Sequence, residues 1–183
     1  MARLRRIWSR QDSIPGLPLS EDDYTGLAFA LAIRGVPDEQ EILAQQRQRI
    51  ENPDRRARFD FVAPALSADS TVRDSVFAAL AKLANRRREP WALAALAYLN
   101  HPLRAPGSER YIRPGLDLLE EIQRTGDIFF PKRWLDALLG GHRSPSAAAI
   151  VRQFLEDHPD YPARLRGKIL QSADPLFRAA AMR

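Results

Sequence analysis

Proline placement constrains this chain more than any other feature. Pro37, Pro53, Pro131, Pro145 and Pro162 each stand at the first position of a segment with helical apolar spacing. A proline there loses no hydrogen bond, because the first N–H groups of a helix have no intrahelical partner, and its ring holds φ near the helical value. The same residue inside a central strand would remove a ladder bond. A chain punctuated in this way reads as helix after helix, with no convincing strand.

The caps agree with the prolines. Ser20 precedes Glu21, Asp22 and Asp23, and Tyr24, Leu27, Ala28, Leu31 and Ala32 then repeat at helical spacing up to a stop at Gly35. A second helix is expected from Pro37 to about Glu51, and a third from the cap Asn52 and Pro53 to Pro64. Val72, Val76, Leu80 and Leu83 predict one apolar face, and Pro90 to Asn100, apolar nearly all round, predicts a buried helix. His101 to Arg110 reads as loop. Ser108 is the expected cap of a helix interrupted near Pro114 and closed by Gly126, and Pro175 is expected to open a last short helix. Short connections favour antiparallel neighbours, so the fold expected is all-α, with stacked helical hairpins forming a HEAT/armadillo-like α-superhelix. The whole of 1–183 is expected as a single helical domain, with Arg104 to Ser108 its one soft point.

Composition narrows the function. Hydrophobic residues at 45% with 28% charged residues suit a folded globular chain. No apolar run approaches the roughly 20 residues of a transmembrane helix, and "MARLRRIWSRQ" lacks the apolar stretch of a signal peptide. With no cysteine there are no disulfides, thiolate metal sites or cysteine nucleophiles. The net charge of +5 owes four positive charges to Arg3, Arg5, Arg6 and Arg10. The later arginine runs, Arg55-Arg56 with Arg58 and Arg86 to Arg88, fall where helices begin or end; at a C-terminus they complement the macrodipole as a solvated face. No nucleic-acid partner is expected. The compartment is left open.

Catalytic motifs are absent from the sequence. His101, His142 and His158 lack metal-ligand spacing, each neighbours Pro or Gly, and all three read as loop or cap residues. Neither a nucleophile elbow nor a phosphate-binding glycine loop occurs. Asp22-Asp23 and Glu120-Glu121 are adjacent pairs whose members diverge by about 100° on a helix; they read as a helix start and a solvated face, with one acid of the second pair near Arg124.

The densest stretch is "GDIFFPKRWLDALLGGHRSP", Gly126 to Pro145. Phe129 and Phe130 are expected to point into neighbouring helices, Trp134, Leu135, Leu138 and Leu139 to form an apolar face, and Ser144 to cap the next helix. Lys132 and Arg133 are left over in a first turn, where cations oppose the macrodipole. They read either as an anion site or as snorkelling surface cations.

Taken in order, "IPGLPLSEDDYTGLAFALAIRG", "RFDFVAPALSADSTVRDSVFAAL", "EPWALAALAYLNHPLR", "YIRPGLDLLEEIQRTGDIFFPKRWLDALLGGHRSP" and "HPDYPARLRGKILQSADPLFRA" resemble the C-terminal helical domain of gluzincin zinc aminopeptidases of the aminopeptidase-N type. The resemblance runs from about Arg5 to Ala179. It implies a non-catalytic C-terminal domain of a larger metallopeptidase, closing over the active site and restricting or guiding peptide substrates. Catalysis and zinc would then belong to a missing catalytic domain, since no position here matches H-E-x-x-H or G-x-M-E-N. Residues 1–12 would be a linking helix or tail, with Leu4, Ile7 and Trp8 forming half of a helix that wants a partner. The implied partners are the catalytic domain of the same polypeptide and peptide substrates, with self-association of the isolated piece through the exposed docking surface. Lys132 and Arg133, then Arg113 and Arg124, are the candidates for holding a peptide C-terminus. The alternative is a free-standing helical-repeat scaffold that binds a protein or peptide.

Overall fold

The computed structural model describes residues 1–182. Among these residues all regular structure is helical, apart from an isolated bridge between Ile14 and Leu17. The fold is all-α. Packing gathers into two compact units, Met1–Arg73 and Asp74–Arg183.

In the first unit, α1 (Ala2–Trp8) and α3 (Glu39–Arg49) pack on α2 (Glu21–Ala32), and α4 (Pro53–Val62) runs into a 3-10 turn at Ala63–Leu66. The start of α2 is a capping box: the Ser20 side chain accepts from Asp23 N, and the Asp23 carboxylate accepts from Ser20 N. Asn52 caps α4 through Asp54 N and Arg55 N, with Pro53 in the first turn. Trp8, Ala28, Leu31 and Ile42 form a core onto which Leu4, Leu27 and Val36 pack. The buried Trp8 indole donates to Gln46 Oε1 at 3.0 Å, so its one polar atom is satisfied. The apolar half-helix at the chain start therefore has its partner within this unit. Pro37 does not begin α3: Gly35 turns the chain at φ +65°, Glu39 N donates to Val36 O, and α3 starts only at Glu39. That extra turn lets Val36 reach the core.

Helix α5 (Ser70–Leu80) carries the boundary between the units. The soft point expected at Arg104 to Ser108 is instead a helical turn, α8 (Ala105–Ser108), with Ser108 fully buried. Ser108 does not cap the helix after it; its hydroxyl donates to Leu99 O, behind it in sequence. The buried residues of α5 are Arg73, Phe77 and Leu80, whereas Val72 and Leu83 are exposed. Phe77 stacks on Tyr111 with ring centroids 4.9 Å apart, and this contact sets the rotation of the helix away from the valine face.

The second unit adds α6 (Leu83–Arg86), α7 (Glu89–Leu99), α9 (Ile112–Asp117), α10 (Leu119–Thr125), α11 (Phe130–Leu139), α12 (Pro145–Asp157) and α13 (Ala163–Ala181). Helix α11 packs against α7, α9, α10 and α13. Trp134 is completely buried and donates from Nε1 to Gly115 O at 2.9 Å. Gly115 makes the approach possible, since a Cβ there would meet Leu138 Cδ1 at 2.7 Å. Arg86 is not solvated: its guanidinium is buried, donating to the carbonyls of Leu80 and Ala81 at the end of α5 and pairing with Glu121. Its role as a helix C-terminal cation survives, but indoors. Pro175 opens no new helix; it lies on the exposed side of a continuous α13 whose Leu165, Ile169, Ser172, Ala173 and Leu176 are buried. The carbonyl it frees is that of Gln171, which is itself exposed.

Gly141 marks the tightest backbone approach, because a Cβ there would lie 1.6 Å from Asn100 O. Gly141→Ala is expected to lower stability by on the order of 3 kcal/mol in urea unfolding. Gly167→Ala, in the middle of α13 with open space around it, is expected to raise stability by about 0.5–1 kcal/mol. Equal effects of the two substitutions would contradict this packing.

Candidate functional site

The segment from Gly126 to Pro145 is built by a clamp on its first turn. Asp127 N donates to Glu89 Oε1 at 2.7 Å, Asp127 Oδ1 accepts from Phe129 N at 2.8 Å, and Phe130 N donates to Asp127 O at 2.9 Å. Gly126 fits because a Cβ would lie 2.5 Å from the Phe130 ring and 3.1 Å from Glu89 Oε1. The clamp fixes the register of α11. Phe130 and Trp134, four residues apart, both face the core, with ring centroids 6.0 Å apart. Phe129 and Arg133, one step earlier, therefore both face out, with the guanidinium 5.8 Å from the ring centroid.

Phe129 is thus not a core residue. It is 61% exposed, and its neighbour Ile128 is 69% exposed. Two large apolar side chains stand side by side on a turn whose backbone is hydrogen-bonded from both ends. The expected apolar face of Trp134, Leu135, Leu138 and Leu139 is buried, and Ser144 caps α12 by accepting from Ala147 N at 3.1 Å.

The four basic candidates divide into two kinds. Lys132 Nζ donates to both carboxylate oxygens of Asp136, at 2.5 and 2.7 Å, and Asp136 also accepts from Ser172 at 2.8 Å. Arg113 bonds Asp117 at 3.2 Å, pairs with Asp157 and lies over the Phe154 ring. These two charges are compensated inside the chain. Arg133 and Arg124 are exposed and face no carboxylate among the described residues. Arg124 does not pair with Glu121 as its spacing suggests, because Arg86 holds that carboxylate. Lys132 and Arg133 share the first turn of α11, whereas Arg113 and Arg124 stand on α9 and α10.

His142 closes the segment in the loop between α11 and α12, as expected of it, but it is not exposed. It is fully buried. Asn100 Nδ2 donates to Leu96 O, which leaves Asn100 Oδ1 to accept from His142 Nε2–H at 2.9 Å. Nδ1 then carries the lone pair and has no partner. Burial is the main cause that holds the pKa of this histidine below its ordinary value, and Arg143 adds to it against the opposing charge of Glu109.

Other features are less developed. A groove of about 430 Å³ in the first unit is lined by Leu43, Phe59, Pro64, Leu66 and Val72 and edged by the Arg47–Asp60 pair. Among the described residues no group of three or more His, Asp or Glu could hold a metal ion, and no helix is long and apolar enough to cross a membrane. No family model, curated protein or solved structure matches the chain.

An unfolded histidine titrates near 6.5, whereas His142 titrates lower when folded. Protons therefore favour the unfolded chain as pH falls through about 6.5, so stability present above that pH is lost below it. Urea midpoints of the native chain are expected to fall between about pH 7.5 and pH 5.5, before the carboxylates titrate. In His142→Gln, which keeps a donor for Asn100 but has no titrating group, the fall should be smaller. An unchanged slope would show that His142 is not the group responsible.

Proposed function

We propose that the chain is a non-catalytic helical module of a zinc aminopeptidase. It would dock on the catalytic domain of the same parent polypeptide and restrict or guide peptides reaching the active site. Within this reading the helices continue a HEAT/armadillo-like curved stack, and the zinc, the general base and the amine-recognition residues all lie in the partner domain. The reading rests on the order of the segments that resemble the C-terminal helical domain of gluzincin aminopeptidases, since no family match carries it.

The observation that supports docking is the Ile128–Phe129 pair. A flexible loop could fold such side chains away, but the Asp127 clamp holds them outward. Burying each against a partner would contribute about 1.5–3 kcal/mol. A pre-ordered turn also lowers the entropic cost of docking. For the peptide C-terminus the reading now favours Arg133 and Arg124, because recruiting Lys132 or Arg113 would first require breaking their ion pairs. The free-standing scaffold reading draws on a different feature, the apolar groove between α3 and α4 in the first unit.

Replacing Ile128 and Phe129 together by Asp tests the proposal. In the isolated chain the double variant is expected to leave the thermal midpoint within about 2 °C, as for surface positions generally. In the native polypeptide purified from source cells, wild type is expected to show chelator-sensitive release of N-terminal residues from peptides. The double variant should lose at least about tenfold of that kcat/KM, as a truncated hot spot does. Unchanged activity in the variant would remove the docking role. Absence of chelator-sensitive release in the wild type would remove the peptidase reading.

A further inference from the structure

His142 is a titratable group that the docking turn and its surrounding charges leave unused. It is fully buried, and the fixed amide of Asn100 decides which of its nitrogens carries the proton. Nε2–H is committed to Asn100 Oδ1, so a second proton must enter at Nδ1, which has no partner. The imidazolium would then hold a buried, charged N–H that nothing accepts, an arrangement that folded chains avoid.

The groups around the ring decide which side yields. From α7 come Asn100 and His101, whose backbone lies against Gly141, and His101 Nδ1 already accepts from Leu103 N at 3.2 Å. That side has no slack, since a Cβ on Gly141 would lie 1.6 Å from Asn100 O. On the α12 side two charges act on His142: Arg143, which opposes a second cation, and Glu109 of the 3-10 turn Glu109–Tyr111, which favours one. Glu109 Oε1 accepts from the hydroxyls of Ser144 and Ser146, and Ser144 Oγ accepts in turn from Ala147 N at 3.1 Å. The carboxylate and the cap of α12 are therefore one network. Arg143, Pro145 and Ser146 are exposed, so this side has room to move.

We infer that His142 is a pH-operated latch on the first turn of α12: protonation at Nδ1 draws the Glu109 carboxylate onto the imidazolium and away from Ser144 and Ser146, which loosens the cap. With the ring neutral the latch is shut. Burial first, then Arg143, keeps the closed histidine titrating below its ordinary value, whereas an opened, hydrated histidine titrates near 6.5. Opening therefore grows as pH falls through about 6.5. The latch is a property of this chain alone and does not depend on the peptidase reading.

Amide hydrogen exchange of the full chain, followed by NMR at about pH 7.5 and pH 5.5 and corrected for intrinsic exchange rates, tests this. The protection of Ala147 N–H is expected to fall at least about tenfold over that range. At both pH values it should stay below that of Leu138 N–H in α11, as local opening requires. In His142→Gln the fall should shrink to less than about twofold, since no group there titrates. Glu109→Gln, which still accepts from the two serines but offers the imidazolium no charge, should reduce the fall. An equal fall in His142→Gln, or protection of Ala147 that matches Leu138 at both pH values, would overturn the latch. An equal fall in Glu109→Gln would overturn the part assigned to Glu109.

Discussion

Trp134 is completely buried on α11, and its indole N–H donates to the carbonyl of Gly115 on α9. Much of the second unit depends on this bond. Glycine at 115 leaves room beside it, since a Cβ would meet Leu138 Cδ1 at 2.7 Å and that side chain would have to shift. The bond also fixes the rotation of α11, and that rotation determines what every neighbour can reach. Phe130 must lie inside with Trp134, so Phe129 and Arg133 must lie outside. At the other end of the helix Gly141 passes close against Asn100, which brings His142 into its buried bond with the same asparagine.

The exposed features read as consequences of this rigidity. Ile128 and Phe129 are not loose: the turn that carries them is bonded to Glu89 before it and to its own Asp127. An apolar pair displayed on a fixed turn suits docking on a partner surface. The charges around it are sorted by the same register, with Lys132 meeting Asp136 one turn on and Arg133 left facing outward. Likewise, the aromatic stack on Phe154 holds Tyr161 in place at the turn between α12 and α13.

What could be read from sequence was what local chemistry decides. The capping box at Ser20 and Asp23, the Asn52–Pro53 start, the Ser144 cap and the apolar face of α11 each depend on residues within a few positions of one another. Features set by distant partners were not legible. Glu121 is taken by Arg86, 35 residues away, so its spacing to Arg124 misleads. Ser108 turns back to Leu99, and α5 rotates to stack Phe77 on Tyr111. Pro175 continues a helix because its face is exposed, which no local rule reveals. Between Gly126 and Pro145 the helix, its apolar face and the Ser144 cap were legible, but which phenylalanine faces out depended on the clamp from Glu89.

On the proposed function, this chain works as a docked part of a larger peptidase polypeptide. The most direct measurement is the size of the native product in source cells, detected with antibodies raised against the chain. A docked part should give a band several times larger than the 183-residue chain, with zinc in the purified material. A product of 183 residues, arising from no larger precursor, would contradict it.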